Sequence, residues 1–243
     1  MNGYKHEIEV DVHDVDYNGV CRAASLLRFL QTTAELQLTE SGMSYGKLRE
    51  MNRAFIISKI RAEFYRPVHA LDKLEAFSFP CDSRGFSFVR CYSLMKDGIT
   101  VGRAISVWAL VDTESRALVK VNDFDLGIPT LPPLDIALGH IRMPSTLRKV
   151  GEYTVCYADI DQNRHVNNTR YADIFANFLP MEDKRMCAIT VSYVNEARLG
   201  DTLDVHLACE EGNYYVRTVR PDGKINTEAE IRLFDAKADL ELQ

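Results

Sequence analysis

The chain consists mainly of runs in which apolar and polar side chains alternate, the pattern of β-strands with one buried face. The runs are rich in β-branched and aromatic residues. Four lie in the first half of the chain and four in the second. We predict strands at residues 55–64, 73–79, 86–95, 100–111, 187–194, 202–209, 214–220 and 224–234.

Two stretches instead repeat apolar residues with a helical period. The first predicted helix ends near Ser41 and Gly42, because glycine favours a helix C-terminus. Pro180 ends the second, and residues 167–169 are its candidate N-caps. The apolar positions are Leu26, Leu27, Leu30, Ala34 and Leu38 in the first stretch, and Tyr171, Ile174, Phe175, Phe178 and Leu179 in the second.

The chain also repeats itself. Residues 14–20 read Asp-Val-Asp-Tyr-Asn-Gly-Val, and residues 159–165, which lie 145 positions later, read Asp-Ile-Asp-Gln-Asn-Arg-His. Residues 60–74 match residues 189–203 at an offset of 129, and two Asp-Gly hairpin signals, at 97–98 and 222–223, match at an offset of 125. Chance matches would not keep this order, so we infer a duplication with a shorter second copy.

Each copy then has a short strand, at residues 6–12 or 153–157, followed by a helix and a four-stranded meander. We predict an α+β fold in which an antiparallel sheet wraps around one central helix in each copy. Four of the eight prolines lie between residues 123 and 150, and prolines at this density break ladders and helices. The predicted units are residues 1–122 and 151–243, joined by a linker at 123–150.

Composition narrows the possible functions. Hydrophobic residues make up 46% and charged residues 26%, as in soluble globular proteins. The net charge of −6 argues against a nucleic-acid partner. We find no apolar run long enough for a membrane span and no signal-peptide pattern, and the six cysteines are scattered as free thiols would be in a reducing compartment. We expect a cytoplasmic protein that uses no metal and no cofactor.

The two copies differ at the positions that could hold catalytic side chains. The matched positions hold Asp161, Asn163, His165 and Glu196 in the second copy, and Asp16, Asn18, Val20 and Pro67 in the first. The first copy therefore lacks the histidine and the glutamate. We predict a single active site, in the second copy.

The spacing of these residues predicts a geometry. Asp161, Asn163 and His165 occupy alternate positions before the second helix, and alternate side chains of an extended chain face one way. We expect them to converge, with Glu196 reaching the same place from the end of the next strand. The backbone N–H groups of residues 166–168 are expected to be free at the helix start and able to hold an oxyanion.

Residues 161–171, Asp-Gln-Asn-Arg-His-Val-Asn-Asn-Thr-Arg-Tyr, resemble the signature D-x-N-x-H-V-N-N-x-x-Y of plant and bacterial thioesterases that act on acyl-acyl carrier protein (acyl-ACP). Residues 193–196 resemble the family's Y-x-x-E segment and residues 108–112 its W-x-φ-φ-(D/N) strand. The resemblance extends from about residue 4 to about residue 235.

This resemblance implies a double hot-dog fold and hydrolysis of fatty acyl-ACP, with acyl carrier protein as the partner. The catalytic residues carried over by position are Asp161, Asn163, His165 and Glu196. Many plant members have a cysteine directly after the glutamate, but Ala197 stands here, so a cysteine nucleophile at this position is impossible. Plant members also carry a plastid transit peptide, and its absence favours a bacterial cytosolic enzyme.

Without that cysteine we expect direct attack by water. Glu196 is the expected general base, Asn163 and His165 position the water or the thioester, and Asp161 orients its neighbours. By sequence alone, the roles of Asp161 and Glu196 are interchangeable. The acyl chain is expected to enter the first unit, with Trp108 as a candidate lining residue.

Several polar residues also fit structural roles. Asn167 and Asn168 are expected to be helix caps, and Asp16 and Asn18 to tie the loop before the first helix. Exposed arginines either contact the acidic carrier or form ordinary surface. The candidates are Arg84, Arg90, Arg116 and the pair at residues 148–149.

Three other functions remain open. A hydratase of the MaoC type has a proline after the asparagine and a longer step to histidine, so Arg164 and His165 argue against it. An acyl-CoA thioesterase would use the same chemistry. A non-catalytic acyl-ligand sensor would be expected to lack Glu196 or to carry a DNA-binding segment. Chain-length preference and assembly into a homodimer are open as well.

Overall fold

The structure, a computed structural model, describes residues 3–239 as three α-helices and eleven strands in one antiparallel sheet. The first copy contains β1 (Tyr4–Glu9), α1 (Ala23–Glu40), α2 (Tyr45–Glu50), β2 (Arg53–Phe64), β3 (Lys73–Pro80), β4 (Phe88–Lys96), β5 (Ile99–Asp112) and β6 (Leu118–Val119). The second contains β7 (Arg148–Thr154), α3 (Arg170–Ala176), β8 (Lys184–Tyr193), β9 (Thr202–Glu210), β10 (Asn213–Val219) and β11 (Ile225–Asp235).

The order of the strands shows the duplication directly. It runs β1-β3-β4-β5-β2-β8-β11-β10-β9-β7, with β6 beside β5, so the second copy is the mirror-ordered partner of the first. The eight predicted meander strands are all present, and none of their ends is displaced by more than three residues. The expected fold class is confirmed.

A local two-fold relation joins the copies between β2 and β8. Arg61 lies opposite Thr190, and these residues are also equivalent in the repeat, at an offset of 129. On either side, Ile60 lies opposite Val191 and Ala62 lies opposite Ile189. Residues that correspond by duplication thus face each other about one point, and the two meanders continue into one sheet.

The short first strand of each copy lies earlier than its apolar pattern predicts. Strand β1 ends at Glu9, which lies opposite Lys73, where its partner β3 begins. Strand β7 ends at Thr154, opposite Thr202, where β9 begins. A strand extends only as far as a neighbour accepts its hydrogen bonds, so the partner determines these ends.

Helix α1 supplies the centre of the first copy. It packs against β3, β1 and helix α3 of the second copy, and it buries Leu26, Leu27 and Leu30 along one face. Its C-terminus falls at Glu40, as predicted, and Gly42 follows with a φ of +82° that glycine adopts without strain.

Helix α3 is shorter than predicted. Its regular hydrogen bonding ends at Ala176, and the N–H groups of Phe178 and Leu179 bond three residues back, in a tighter turn before Pro180. At the other end, Asn167 acts as the cap, because its Oδ1 accepts hydrogen bonds from the N–H and the hydroxyl of Thr169 at 3.0 and 2.8 Å. Asn168 and Thr169 do not cap the helix with their side chains.

The proline-rich segment between the copies covers part of the sheet. No helix or strand occurs from residue 124 to residue 147. Ile136 is buried there against Phe79, Cys91 and Ile105 on the face of β3–β5 that points away from α1, and Leu131, Leu134 and Leu138 pack around it. The segment therefore closes a small second core.

All six cysteines have free thiols, and four of them are buried. Within residues 3–239 no helix is both long enough and apolar enough to cross a membrane.

Asn18 of the first copy ties the two copies together. Its side-chain amide donates hydrogen bonds to the carbonyl oxygens of Met181 and Lys184, at 3.0 and 2.9 Å, in the connection between α3 and β8. Asp16 Oδ1 meanwhile accepts from the N–H of Asn18 at 2.8 Å. The structural roles expected for both residues are confirmed.

We predict that Asn18→Ala lowers the free energy of unfolding by about 1–2 kcal/mol, because two main-chain carbonyl groups lose their donor. Chemical denaturation measures this. The control is Tyr17→Ala, since the Tyr17 side chain is 92% exposed, and this change should cost less than about 0.5 kcal/mol. Equal effects of the two changes would contradict the prediction.

Candidate active site

The segment that carries three of the four predicted site residues is a tight turn. Asp161 Oδ1 accepts a hydrogen bond from the N–H of Asn163 at 2.8 Å, and the N–H of Asp161 donates to the carbonyl oxygen of His165 at 3.0 Å. Arg164 closes the turn with a φ of +66°. The segment is not extended, so the expectation that alternation alone aligns these side chains was wrong.

The first copy forms the same turn. Asp16 accepts from the N–H of Asn18 and its own N–H donates to the carbonyl oxygen of Val20, and Gly19 has a φ of +74° at the position of Arg164. Asp16 therefore makes the same hydrogen bond as Asp161, although the first copy lacks the histidine. This contact shapes the loop in both copies.

The structure brings His165 and Glu196 together. His165 Nε2 lies 2.9 Å from Glu196 Oε2. The N–H of Val166 donates to the carbonyl oxygen of Ala197 at 3.0 Å, which joins the turn to the segment after β8. The imidazole is 26% exposed and the carboxylate 49%, so the pair is open to solvent.

The first copy keeps this junction without its chemistry. There the N–H of Cys21 donates to the carbonyl oxygen of Val68 at 2.6 Å, but the neighbouring positions are Val20 and Pro67. The backbone of the site is therefore common to both copies, and the ionisable pair belongs to the second alone.

Asn163 does not hydrogen-bond to the pair and is held by the first copy. Its side-chain oxygen accepts hydrogen bonds from Tyr45 Oη at 3.0 Å and from Arg49 Nη2 at 3.3 Å, both on α2. The Asn163 Nδ2 group has no acceptor among residues 3–239. It is therefore available to a bound molecule. The sequence pattern did not single out Tyr45 and Arg49, because α2 has no counterpart among the described residues of the second copy.

Most of the expected oxyanion donors are already used. The N–H of Val166 bonds to Ala197, and the N–H of Asn167 bonds to the carbonyl oxygen of Asp159 at 2.8 Å. The expectation was wrong for these two groups, because the loop folds back on its neighbours before the helix begins. In the described part of the chain, the N–H of Asn168 has no acceptor, and its carbonyl oxygen accepts from Tyr193 Oη at 3.0 Å.

Asp159, the first aspartate of the motif, anchors the start of α3. Its carboxylate is buried, and it accepts hydrogen bonds from Tyr153 Oη at 2.8 Å, the N–H of Cys156 at 2.9 Å and Arg170 Nη2 at 3.1 Å. A buried carboxylate with three donors and a cationic partner is well satisfied. Asp159 therefore holds the two sides of the turn in place.

A buried asparagine supports the segment that carries Glu196. Asn226 is fully buried, and its Nδ2 donates to Tyr171 Oη at 2.9 Å and to the carbonyl oxygen of Asn195. The main-chain carbonyl oxygen of Asn226 accepts hydrogen bonds from the N–H groups of Val194 and Asn195. Asn226 thus holds the chain directly before Glu196.

Two tyrosines, Tyr171 and Tyr193, support the same part of the site. Tyr171 and Tyr193 meet edge to face with ring centres 5.8 Å apart. Burial raises the pKa of Tyr171 to about 12 and raises the pKa of Tyr193 still further. Both hydroxyl groups therefore remain protonated at neutral pH, and Tyr193 can donate to Asn168.

A cleft of about 1800 Å³ connects the site with the interior of the first copy. Asp161, Asn163, His165 and Glu196 all line it. It continues over an apolar region formed by Phe55, Ile57, Phe88 and Trp108, and it runs along a mostly polar side of α1. Trp108 thus lies on the cleft wall, where its indole N–H donates to Ser106 Oγ at 2.7 Å.

The fold and the site define a class of protein: a double hot-dog with one His–Glu pair at the entrance to a deep cleft. Solved structures share this architecture. An acyl-ACP thioesterase from Bacteroides thetaiotaomicron superposes with a TM-score of 0.87 at 22% identity, over 95% of this chain and 97% of its own. The 12:0-ACP thioesterase from Umbellularia californica superposes with a TM-score of 0.82 at 15% identity, over 97% of this chain and 99% of its own.

The chain belongs to the acyl-ACP thioesterase family. The family's N-terminal domain matches residues 1–125, and its C-terminal domain matches residues 144–236. Among curated relatives, oleoyl-acyl carrier protein thioesterase 2 of Arabidopsis thaliana, a chloroplastic protein, is 24% identical over 88% of this chain. The match spans 65% of that relative's own length. The predicted family is confirmed.

We predict that Asn226→Ala lowers the free energy of unfolding by about 2–3 kcal/mol, because buried polar groups lose their partner where water cannot replace it. Asn122→Ala is the control at an exposed position and should change stability by less than about 0.5 kcal/mol. Denaturant titration of both variants tests this. A loss for Asn226→Ala no larger than that of the control would refute the supporting role.

Proposed function

We propose that this protein hydrolyses the thioester of fatty acyl-ACP and releases a free fatty acid and holo-ACP. The observation that carries the proposal is the His165–Glu196 pair, 2.9 Å apart at the entrance of a cleft that leads into an apolar interior. The thioester would lie at the pair and the acyl chain would extend into the first copy. Family membership supports the same reaction.

In the proposed mechanism Glu196 is the general base. Its carboxylate takes a proton from water while the water oxygen forms a bond to the thioester carbonyl carbon. His165, bonded to one carboxylate oxygen, holds Glu196 in orientation. Collapse of the tetrahedral intermediate breaks the C–S bond, and the proton passes from Glu196 to the leaving thiolate. General-base assistance of this kind is worth about 10²–10⁴ in rate.

The oxyanion would be held by two donors that the described chain leaves free. Asn163 Nδ2 is directed by the bonds that Tyr45 and Arg49 make to the amide oxygen. The N–H of Asn168 is the second donor, and its peptide is fixed through the bond from Tyr193. Each donor of this type is worth about 10²–10³ in rate.

The two carboxylates can now be assigned different roles. Asp161 has the same loop contact as Asp16 in the copy without chemistry, whereas Glu196 has a polar partner that the first copy lacks. We therefore assign the base to Glu196 and a positioning role to Asp161.

We propose acyl carrier protein as the partner and fatty acid biosynthesis in the cytoplasm as the setting. The carrier is acidic, and exposed arginines lie around the cleft. They include Arg84, Arg116 and Arg198. Arg90, which the sequence placed in the same group, is only 7% exposed and lies inside the first copy, so it is unsuited to docking a carrier.

The first test measures thiol release from palmitoyl-, oleoyl- and dodecanoyl-ACP and from the matching CoA esters. We expect the ACP esters to be hydrolysed faster, and His165→Ala to lower turnover by about 10²-fold or more, because Glu196 loses the group that orients it. If only the CoA esters were hydrolysed, the proposed site would stand, but the carrier would be coenzyme A and not acyl carrier protein. Tight acyl binding without turnover would favour a sensor and contradict the proposal.

A second test separates the carboxylates. We expect Glu196→Gln to lower kcat by about 10²–10⁴-fold, because an amide cannot take the proton. Asp161→Asn should lower kcat by less than about 10-fold, since an amide oxygen can still accept from the N–H of Asn163. Thermal melts of both variants control for folding. Near-normal turnover in Glu196→Gln, or the larger loss in Asp161→Asn, would overturn the assignment.

A further inference from the structure

Arg90 is a cation inside the first copy that does not bond to the His–Glu pair. It is the third residue of β4, opposite Pro80 on β3 and Ser106 on β5, and its side chain points toward α1. Its Nη1 donates to Gln37 Oε1 at 2.5 Å and to Ser78 Oγ at 2.7 Å. The residue is 7% exposed, and it lines the cleft.

The charge of Arg90 is not neutralised by the described chain. No carboxylate of residues 3–239 forms an ion pair with it, and its hydrogen bonds to these residues all run through Nη1. Gln37 and Ser78 are neutral partners, so Nε and Nη2 keep donors for another acceptor. Burial lowers the pKa of Arg90, yet a guanidinium remains protonated at neutral pH.

Other polar groups surround Arg90 on the same inner face. Ser106 Oγ accepts from the Trp108 indole at 2.7 Å and lies 3.2 Å from Tyr92 Oη. The buried surroundings of Arg90 are therefore polar, whereas Phe55, Ile57 and Phe88 give the cleft an apolar stretch. If a plain hydrocarbon chain reached Arg90, it would displace water from the guanidinium without supplying a hydrogen-bond acceptor, which is unfavourable in free energy. A residue that serves only to stop such a chain needs bulk and no charge.

We propose that the acyl group accepted by this cleft carries a hydrogen-bond-accepting oxygen, a hydroxyl or a carboxylate, toward its distal end, and that Arg90 binds this oxygen. The proposal rests on the proposed acyl-ACP hydrolysis and specifies its substrate class. It makes Arg90 a specificity-determining residue.

The test compares acyl-ACPs of equal chain length that end in a methyl, a hydroxymethyl or a carboxyl group, over a series of lengths. At the best length we expect kcat/KM for an oxygen-bearing chain to exceed that for the methyl-ended chain by roughly 10- to 100-fold, as for a hydrogen bond to a charged group. The hydroxyl and carboxyl arms identify which oxygen is accepted. Arg90→Met should abolish or reverse the preference, and Arg232→Met, at an exposed arginine on β11, should preserve it.

Binding of the corresponding free acids to the unaltered protein, measured by calorimetry, does not depend on turnover. Preference for methyl-ended chains in both assays would overturn the role of Arg90 while leaving the hydrolase intact. Absence of hydrolysis for every acyl-ACP would contradict the proposed function, and calorimetry would still decide whether oxygen-bearing acids bind more tightly. If Arg90→Met fails to fold, Arg90→Lys, which keeps the charge, should retain the carboxylate preference, and loss of it would count against the proposal.

Discussion

The pairing of β2 with β8 is the interaction on which the rest of the structure depends. Because residues equivalent in the repeat face each other there, each copy's Asp-x-Asn turn lies beside the other copy's helix-to-strand connection. Asn18 contacts the connection after α3, and Asn163 contacts α2, which follows α1. The two contacts correspond, but one ties the fold together and the other orients an amide in the cleft.

After the duplication, the two copies contribute different parts of the site. Both retain the turn and the backbone bond that joins it to the segment after β2 or β8, so this framework does not require the catalytic side chains. The second copy adds His165 and Glu196 to that framework. The first has the longer central helix and the apolar and polar walls of the cleft. A thioester positioned by one copy can therefore direct its acyl chain into the other.

The exposed pair depends on buried polar groups behind it. Glu196 is half exposed and would be free to move if its backbone were not held. Asn226 fixes the residues before it, and Asp159 fixes the loop that carries His165. Buried polar groups with complete hydrogen bonding favour one arrangement, because any other leaves them without partners.

The amino-acid sequence alone determined the duplication, the meander strands, the extent of α1 and the asymmetry between His165 and Val20, because periodicity and spacing are local properties. It also indicated the family, through an uninterrupted run of eleven residues. Only the tertiary structure decided that Asp161 bonds to its own turn, that Val166 and Asn167 have no free N–H, and that α2 orients Asn163. It likewise placed Arg90 inside the first copy. The reason is that hydrogen-bond partners and burial depend on which segments meet in space: Val166 bonds to the segment after β8, and Asn163 bonds to Tyr45, 118 positions away along the chain.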